Sequence, residues 1–144
     1  MRQLKAKIQI AAKIDQVWKT LTDFENWHEW NPTVKRVTGQ ATQGTTLNIT
    51  MPGKAGKDMS YPAQIINLQP PTLFRWRAKM IAGFLFANGR VFELKEHDGG
   101  TLLVNTEEFS GLMVPLMGNK LNQFVVPALN KMNEALKAKL ESSV

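Results

Sequence analysis

The feature that most restricts the fold is a change of hydrophobic period near residue 116. After it, Leu121, Phe124, Val125, Ala128, Leu129, Met132, Leu136 and Leu140 recur at the spacing of one helix face, while Lys131, Lys137 and Lys139 turn away. Before it, apolar residues alternate in short runs, at 34–39, 44–51, 59–69, 72–80, 88–97 and 101–110. Turn residues cut these runs apart: Gly39 to Gly44, Pro52-Gly53 to Gly56, Pro70-Pro71 and His97-Asp98-Gly99-Gly100. Loops this short between consecutive strands make an antiparallel meander.

A seventh strand stands ahead of the meander, where Leu4, Ala6, Ile8 and Ile10 alternate with Lys5, Lys7 and Gln9. Val17, Trp18, Leu21 and Phe24 then take helical spacing, with Asp15 at the helix start where a carboxylate suits the dipole. Residues 25–30 give a second short helix, which Asn31-Pro32 stops. Ala11-Ala12-Lys13 supplies no hydroxyl or carboxylate cap, so the first helix starts weakly. The chain is therefore of the α+β class, and its sheet has one long element, the C-terminal helix, to cover its buried face. Pro127 should kink that helix. A sheet bent around one helix diverges at its ends, and the wide end leaves room for a small molecule.

At 144 residues with 43% hydrophobic content, the chain suits one domain, 1–144, that builds a core without staples. It has no cysteine, which excludes disulfides, thiolate metal sites and a cysteine nucleophile. The opening residues lack an apolar h-region, and the longest apolar stretch, 80–87, is too short to span a bilayer. We therefore expect a cytoplasmic protein without stable membrane insertion. The net charge of +6 is scattered, with no basic cluster interleaved with aromatics, so no nucleic-acid partner is expected. His28 and His97 are the only histidines and stand far apart, and no phosphate loop or nucleophile elbow is present. Neither a metal, a cofactor nor a catalytic triad is expected.

Strand parity selects the inward residues. On the strand from Leu73, Phe74, Trp76, Ala78 and Met80 face in; on the next, Phe92 and Leu94 carry Arg90 inward with them. On the last, Leu103 and Phe109 share parity with Asn105 and Glu107, although Leu102 and Val104 compete for that face. A two-residue Asp98-Gly99 turn sets Leu94 opposite Leu103, Phe92 opposite Asn105 and Arg90 opposite Glu107. An inward ion pair follows. It is either a satisfied structural pair or the polar floor of an apolar pocket.

Several stretches resemble the SRPBCC (START-like) superfamily, and most nearly its polyketide cyclase/dehydrase and lipid-transport branch. These are Val17-Trp18 to Asn31-Pro32, Pro70-Pro71-x-Leu73-x-x-Trp76, Phe92-x-Leu94 before Gly99-Gly100-Thr101, and Glu107-x-Phe109-x-Gly111. The resemblance implies a helix-grip fold, a seven-stranded antiparallel sheet wrapped around the C-terminal helix, enclosing a cavity for lipids, polyketides or other apolar ligands. Fold alone does not select a chemistry, because relatives include binders, transfer proteins and cyclases.

The residues expected about a ligand are Trp30, Phe74, Trp76, Phe92 and Phe109 as aromatic walls, and Arg90, Asn105 and Glu107 as polar anchors. Leu121, Phe124 and Ala128 would face them from the helix. The function expected is non-catalytic binding or transport of a hydrophobic small molecule by a monomer or weak homodimer. The alternative is a cyclase or dehydratase using Arg90 and Glu107, which pairing of the carboxylate argues against; the third is a protein-interaction module. The apolar segments 80–87 and 111–118 serve as an end cap of the core, as a lid hinged at Gly83 and Gly118, or as a dimer contact.

Overall fold

A computed structural model describes residues 1–81 and 85–142 of the chain. Seven strands form one antiparallel sheet: β1 (Arg2–Ile10), β2 (Arg36–Thr38), β3 (Thr46–Met51), β4 (Met59–Gln69), β5 (Leu73–Ile81), β6 (Phe86–His97) and β7 (Gly100–Ser110). Their order across the sheet is β1-β7-β6-β5-β4-β3-β2, so the meander closes back onto the first strand. Helix α1 (Ile14–Thr22) and a 3-10 helix (Phe24–Glu29) follow β1. A single turn, α2 (Val114–Met117), precedes the long α3 (Lys120–Glu141). The helical period near residue 116 thus belongs to two elements, broken at Gly118, where φ is +54°. Helix α3 continues through Pro127.

Local chemistry accounts for most of these boundaries. Asp98 and Gly99 both take positive φ, as a two-residue hairpin turn of type I′ requires. That turn fixes the β6–β7 register as expected: Leu94 opposite Leu103, Phe92 opposite Asn105, Arg90 opposite Glu107. The strand read at 34–39 shortens to Arg36–Thr38, and β6 begins at Phe86, two residues earlier than the alternation indicated. At the start of α1, Lys13 occupies the cap position and makes no side-chain cap bond. Thr101 ties down the residue before Lys13, its hydroxyl donating to the Ala12 carbonyl at 2.8 Å.

Inside the grip the apolar residues separate into two clusters. The larger gathers Ile10, Val17, Leu21, Phe24, Trp27, Ile65, Phe74, Trp76, Phe92 and Leu103 under Met132, Leu136 and Leu140 of α3. The smaller holds Leu4, Phe109, Val114 and Leu121, with Phe86, Met117, Val125 and Val126 half-buried around it. Among the described residues no helix is long and apolar enough to cross a membrane.

Candidate functional site

Between the two clusters runs a chain of polar side chains that face inward. Alternation on β6 and β7 carries Arg90, Asn105 and Glu107 in with Phe92, Leu103 and Phe109, and the burial of Asn105 confirms that Leu102 and Val104 lost the competition for that face. Arg90 Nη2 donates to Glu107 Oε1 at 2.9 Å, with both side chains largely shielded from water. Arg90 Nη1 reaches Asn105 Oδ1 at 3.4 Å and the Met132 sulfur at 3.5 Å, and the guanidinium carbon lies 5.5 Å from the centre of the Phe92 ring. Asn105 Nδ2 donates to Asn133 Oδ1 of α3 at 3.0 Å, and Asn133 Nδ2 donates to the Ala6 carbonyl of β1 at 3.1 Å. The chain therefore ties β6, β7, α3 and β1 together, each buried group meeting a partner.

Two further side chains belong to this region and were not singled out from the sequence. Tyr61 shares the inner face of β4 with Ala63 and Ile65. Burial pushes its phenol above the usual 10.0; the Arg90 cation pulls it back and Glu107 pushes it up, so it lies within electrostatic reach of the pair. Asn88 shares the inner face of β6 with Arg90, opposite Ala78 on β5 and Phe109 on β7, and its Oδ1 is buried without a partner. Parity could have found both residues. Asn133 likewise stands on the buried stripe of α3 with Leu129, Met132 and Leu136.

The structure separates the residues expected to surround a ligand. Phe74, Trp76 and Phe92 do face inward, but they touch one another and Trp27, with ring centroids 4.5 to 6.1 Å apart, instead of standing around a space. Those rings close one end of the grip. Trp30 leans on Trp27 at 5.6 Å and borders a surface hollow of about 600 Å³ between α1, the 3-10 helix and the end of α3. Phe109 and Leu121 are buried together in the smaller cluster, and Ala128 is half-buried. Phe124, expected to face the sheet, is 75% exposed. It shares its side of α3 with Lys120, Pro127 and Lys131, all exposed, so it lies beyond the edge of the covered stripe.

The inner face is incompletely covered beside both clusters. Met51 and Tyr61, packed against the larger cluster, and Phe86, packed against the smaller, point inward by parity yet remain half-buried. The two apolar segments meet there: the Met113 amide donates to the Leu85 carbonyl at 3.0 Å, and Gly111, at a φ of +113°, lies so close that a β-carbon would fall 2.3 Å from that oxygen. Leu112 and Leu116 are exposed. The expected hinge at Gly83 lies outside the described residues. Among the described residues, no group of three or more His, Cys, Asp or Glu could hold a metal ion.

A seven-stranded antiparallel meander gripping one long C-terminal helix, with short helices after its first strand, is the helix-grip fold of the START/SRPBCC superfamily. Residues 1–141 match the profile of the family described as polyketide cyclase/dehydrase and lipid transport, and the chain belongs to that family. Solved structures share the fold at low identity. A START superfamily protein from Mycobacterium smegmatis superposes with a TM-score of 0.79 at 16% identity, covering 99% of each chain. The di-domain ARO/CYC StfQ from the steffimycin biosynthetic pathway gives 0.78 at 13% identity; 98% of this chain spans about half, 51%, of that one. Ara h 8.0201 gives 0.77 at 14% identity, covering 98% of each chain. None of the curated proteins matches by sequence. Family and fold fit hydrophobic-ligand binding or a cyclase-like activity.

Proposed function

We propose that the protein binds and carries an apolar small molecule, such as a lipid, a polyketide or an aromatic compound, inside the grip next to the smaller cluster. One observation carries this reading: inward-facing Tyr61, which feels the charges of both Arg90 and Glu107, is left half-covered, as are Met51 and Phe86 on the same face of the sheet. Apolar surface left partly wet gains roughly 25 cal/mol for each Å² that a ligand covers. The ion pair supplies a polar edge that orients the guest. Phe109, Leu121 and Ala128 are the apolar residues we assign to the walls, and Arg90, Asn105 and Glu107 to the polar edge; Phe124, exposed outside the covered stripe, is not among them. Trp30, Phe74, Trp76 and Phe92 support this space from the closed end.

The fixed geometry of Arg90 favours a binder over a cyclase. Its guanidinium is engaged by Glu107, Asn105, Met132 and the Phe92 face at once, an arrangement built to stay in place. The test is titration of the folded protein with the neutral fluorophore N-phenyl-1-naphthylamine, with near-UV circular dichroism recorded alongside. One saturable, micromolar site on native protein is expected. Fluorescence that rises only as the near-UV signal is lost would overturn the carrier reading.

A further inference from the structure

The inner polar groups are not equally provided for. Arg90, Glu107, Asn105 and Asn133 form an unbroken chain of donors and acceptors that ends on a backbone carbonyl. Asn88, one pleat away on the same face, is the exception: its Oδ1 is buried and accepts nothing. A buried acceptor left empty costs on the order of 1–3 kcal/mol, so an orphan of this kind calls for a physical reason. Its surroundings supply one. Ala78, directly across on β5, presents only a methyl group, and Phe109, across on β7, stacks on the half-buried Phe86 at 6.0 Å between centroids. Asn88 itself is only half-buried, and it shares the inner face with the half-buried Phe86.

We propose that Asn88 Oδ1 is the recognition point for a hydroxyl donor on the ligand, so that the protein selects neutral hydroxylated apolar molecules, phenols or alcohols, over their hydrocarbon and carboxylate counterparts. This inference rests on the carrier reading above and adds the polar group that the guest must bear. An amide oxygen accepts and cannot donate, so it rewards a hydroxyl and gives nothing to a group that only accepts. A carboxylate is disfavoured twice, because the one nearby guanidinium is already neutralised by Glu107 and because the Glu107 charge repels a second anion. The ring or chain of the guest would lie along Phe86, whose apolar surface is half-covered and which stacks on the buried Phe109.

The experiment compares three probes of one shape, 2-naphthol, 2-methylnaphthalene and 2-naphthoate, on the wild-type chain and on Asn88→Leu, which keeps the volume and removes the acceptor. In the wild type 2-naphthol should bind about tenfold more tightly than 2-methylnaphthalene, the worth of one hydrogen bond to a buried acceptor, and 2-naphthoate should bind weakest. In Asn88→Leu the two neutral probes should become equal, with 2-methylnaphthalene affinity kept or raised and the melting temperature no lower. Should the leucine variant fail to fold, Asn88→Ala makes the same comparison. Equal affinities in the wild type, or a naphthol preference that survives in the variants, would overturn the assignment of Asn88 while leaving the carrier reading intact. If neither neutral probe binds wild-type protein, both fall together.

Discussion

The two ends of the grip bury their inner faces in opposite ways. At one end five aromatic side chains, Phe24, Trp27, Phe74, Trp76 and Phe92, lie edge to face or stacked within 6.1 Å of their neighbours, and the C-terminal half of α3 seals them with Met132, Leu136 and Leu140. At the other, Leu4, Phe109, Val114 and Leu121 are buried among half-covered neighbours, while Leu112, Leu116 and Phe124 face solvent. The contrast teaches that tight and loose packing are divided along one helix. Each sealed aromatic contributes roughly 1.5–3 kcal/mol of transfer free energy and leaves no room, whereas the loose end keeps apolar surface half-covered, as the proposed carrier role requires. The polar chain from Glu107 to Asn133 marks the border between them.

The harshest trial of this division is a pair of truncations. Phe92→Ala removes a fully buried ring that touches Phe74, Trp76 and Trp27, and urea unfolding should show a loss of about 3–5 kcal/mol. Phe124→Ala should stay within about 0.5 kcal/mol, as exposed positions do. Comparable losses from the two would erase the distinction between sealed and open ends.

What the sequence disclosed, and what it hid, follows the same border. The hairpin at Asp98-Gly99 is a local device, so turn chemistry and parity alone reached the Arg90–Glu107 pair and its register. Phe124 was misplaced because a 3.6-residue period defines a stripe and leaves open how much of its width the neighbouring strands cover; here α3 packs chiefly on β1 and β7, at one edge of the sheet. The closed aromatic cluster was illegible for a related reason. Parity says that Phe74, Trp76 and Phe92 point inward, but whether inward rings meet or stand apart depends on how tightly the sheet curls, which no single strand encodes.

A smaller effect is expected from the border itself. Glu107→Gln leaves Arg90 with Asn105, Met132 and Phe92 but without its anion, and should cost about 2–3 kcal/mol, below the value for a fully buried pair because both side chains keep some access to water. Replacing the pair together, Arg90→Met with Glu107→Leu, should recover most of that loss. A double variant less stable than the single would mean that the ion pair holds the two ends in register and does more than satisfy itself.

Tyr61 reports the same border spectroscopically, since it is the only tyrosine in the chain and its phenolate absorbance is unambiguous. Its titration midpoint should lie above the usual 10.0 because burial disfavours the phenolate. Removing the neighbouring cation with Arg90→Met should move the midpoint higher, and Glu107→Gln should move it lower. The sign for stability follows: a raised folded value favours the protonated form, so the contribution is whole below pH 10 and is lost as pH rises through the folded midpoint. A midpoint at the ordinary value, indifferent to both substitutions, would place Tyr61 outside the proposed binding region.

The smallest expected effect concerns how α3 is held at its two ends. At the sealed end Glu141 accepts from the Ala11 amide at 2.9 Å and from Lys137 Nζ at 2.5 Å, pinning the helix terminus to the corner between β1 and α1. At the open end Asn119 makes no side-chain cap, and Arg2 reaches across to the Gly118 carbonyl at 2.6 Å and to Asn122. The Ala11 amide, and after it Lys137, hold the Glu141 carboxyl below its ordinary 4.5, so the tie is whole above that pH and is lost as pH falls through 4.5 and on through the lowered folded value. The melting-temperature gap between wild type and Glu141→Gln should therefore be steady from pH 6 to 8 and should shrink below 4.5. Hydrogen exchange should quicken in the variant at Ala11 and at 138–142 while 120–125 is unchanged, because the charge acts on the nearest amide and the Arg2 contacts do not involve it. A gap that persists undiminished to pH 3 would show that the carboxylate charge is not what pins the helix. Equal quickening along the whole of α3 would show that the helix opens as one unit, leaving no separately held end through which a guest could enter.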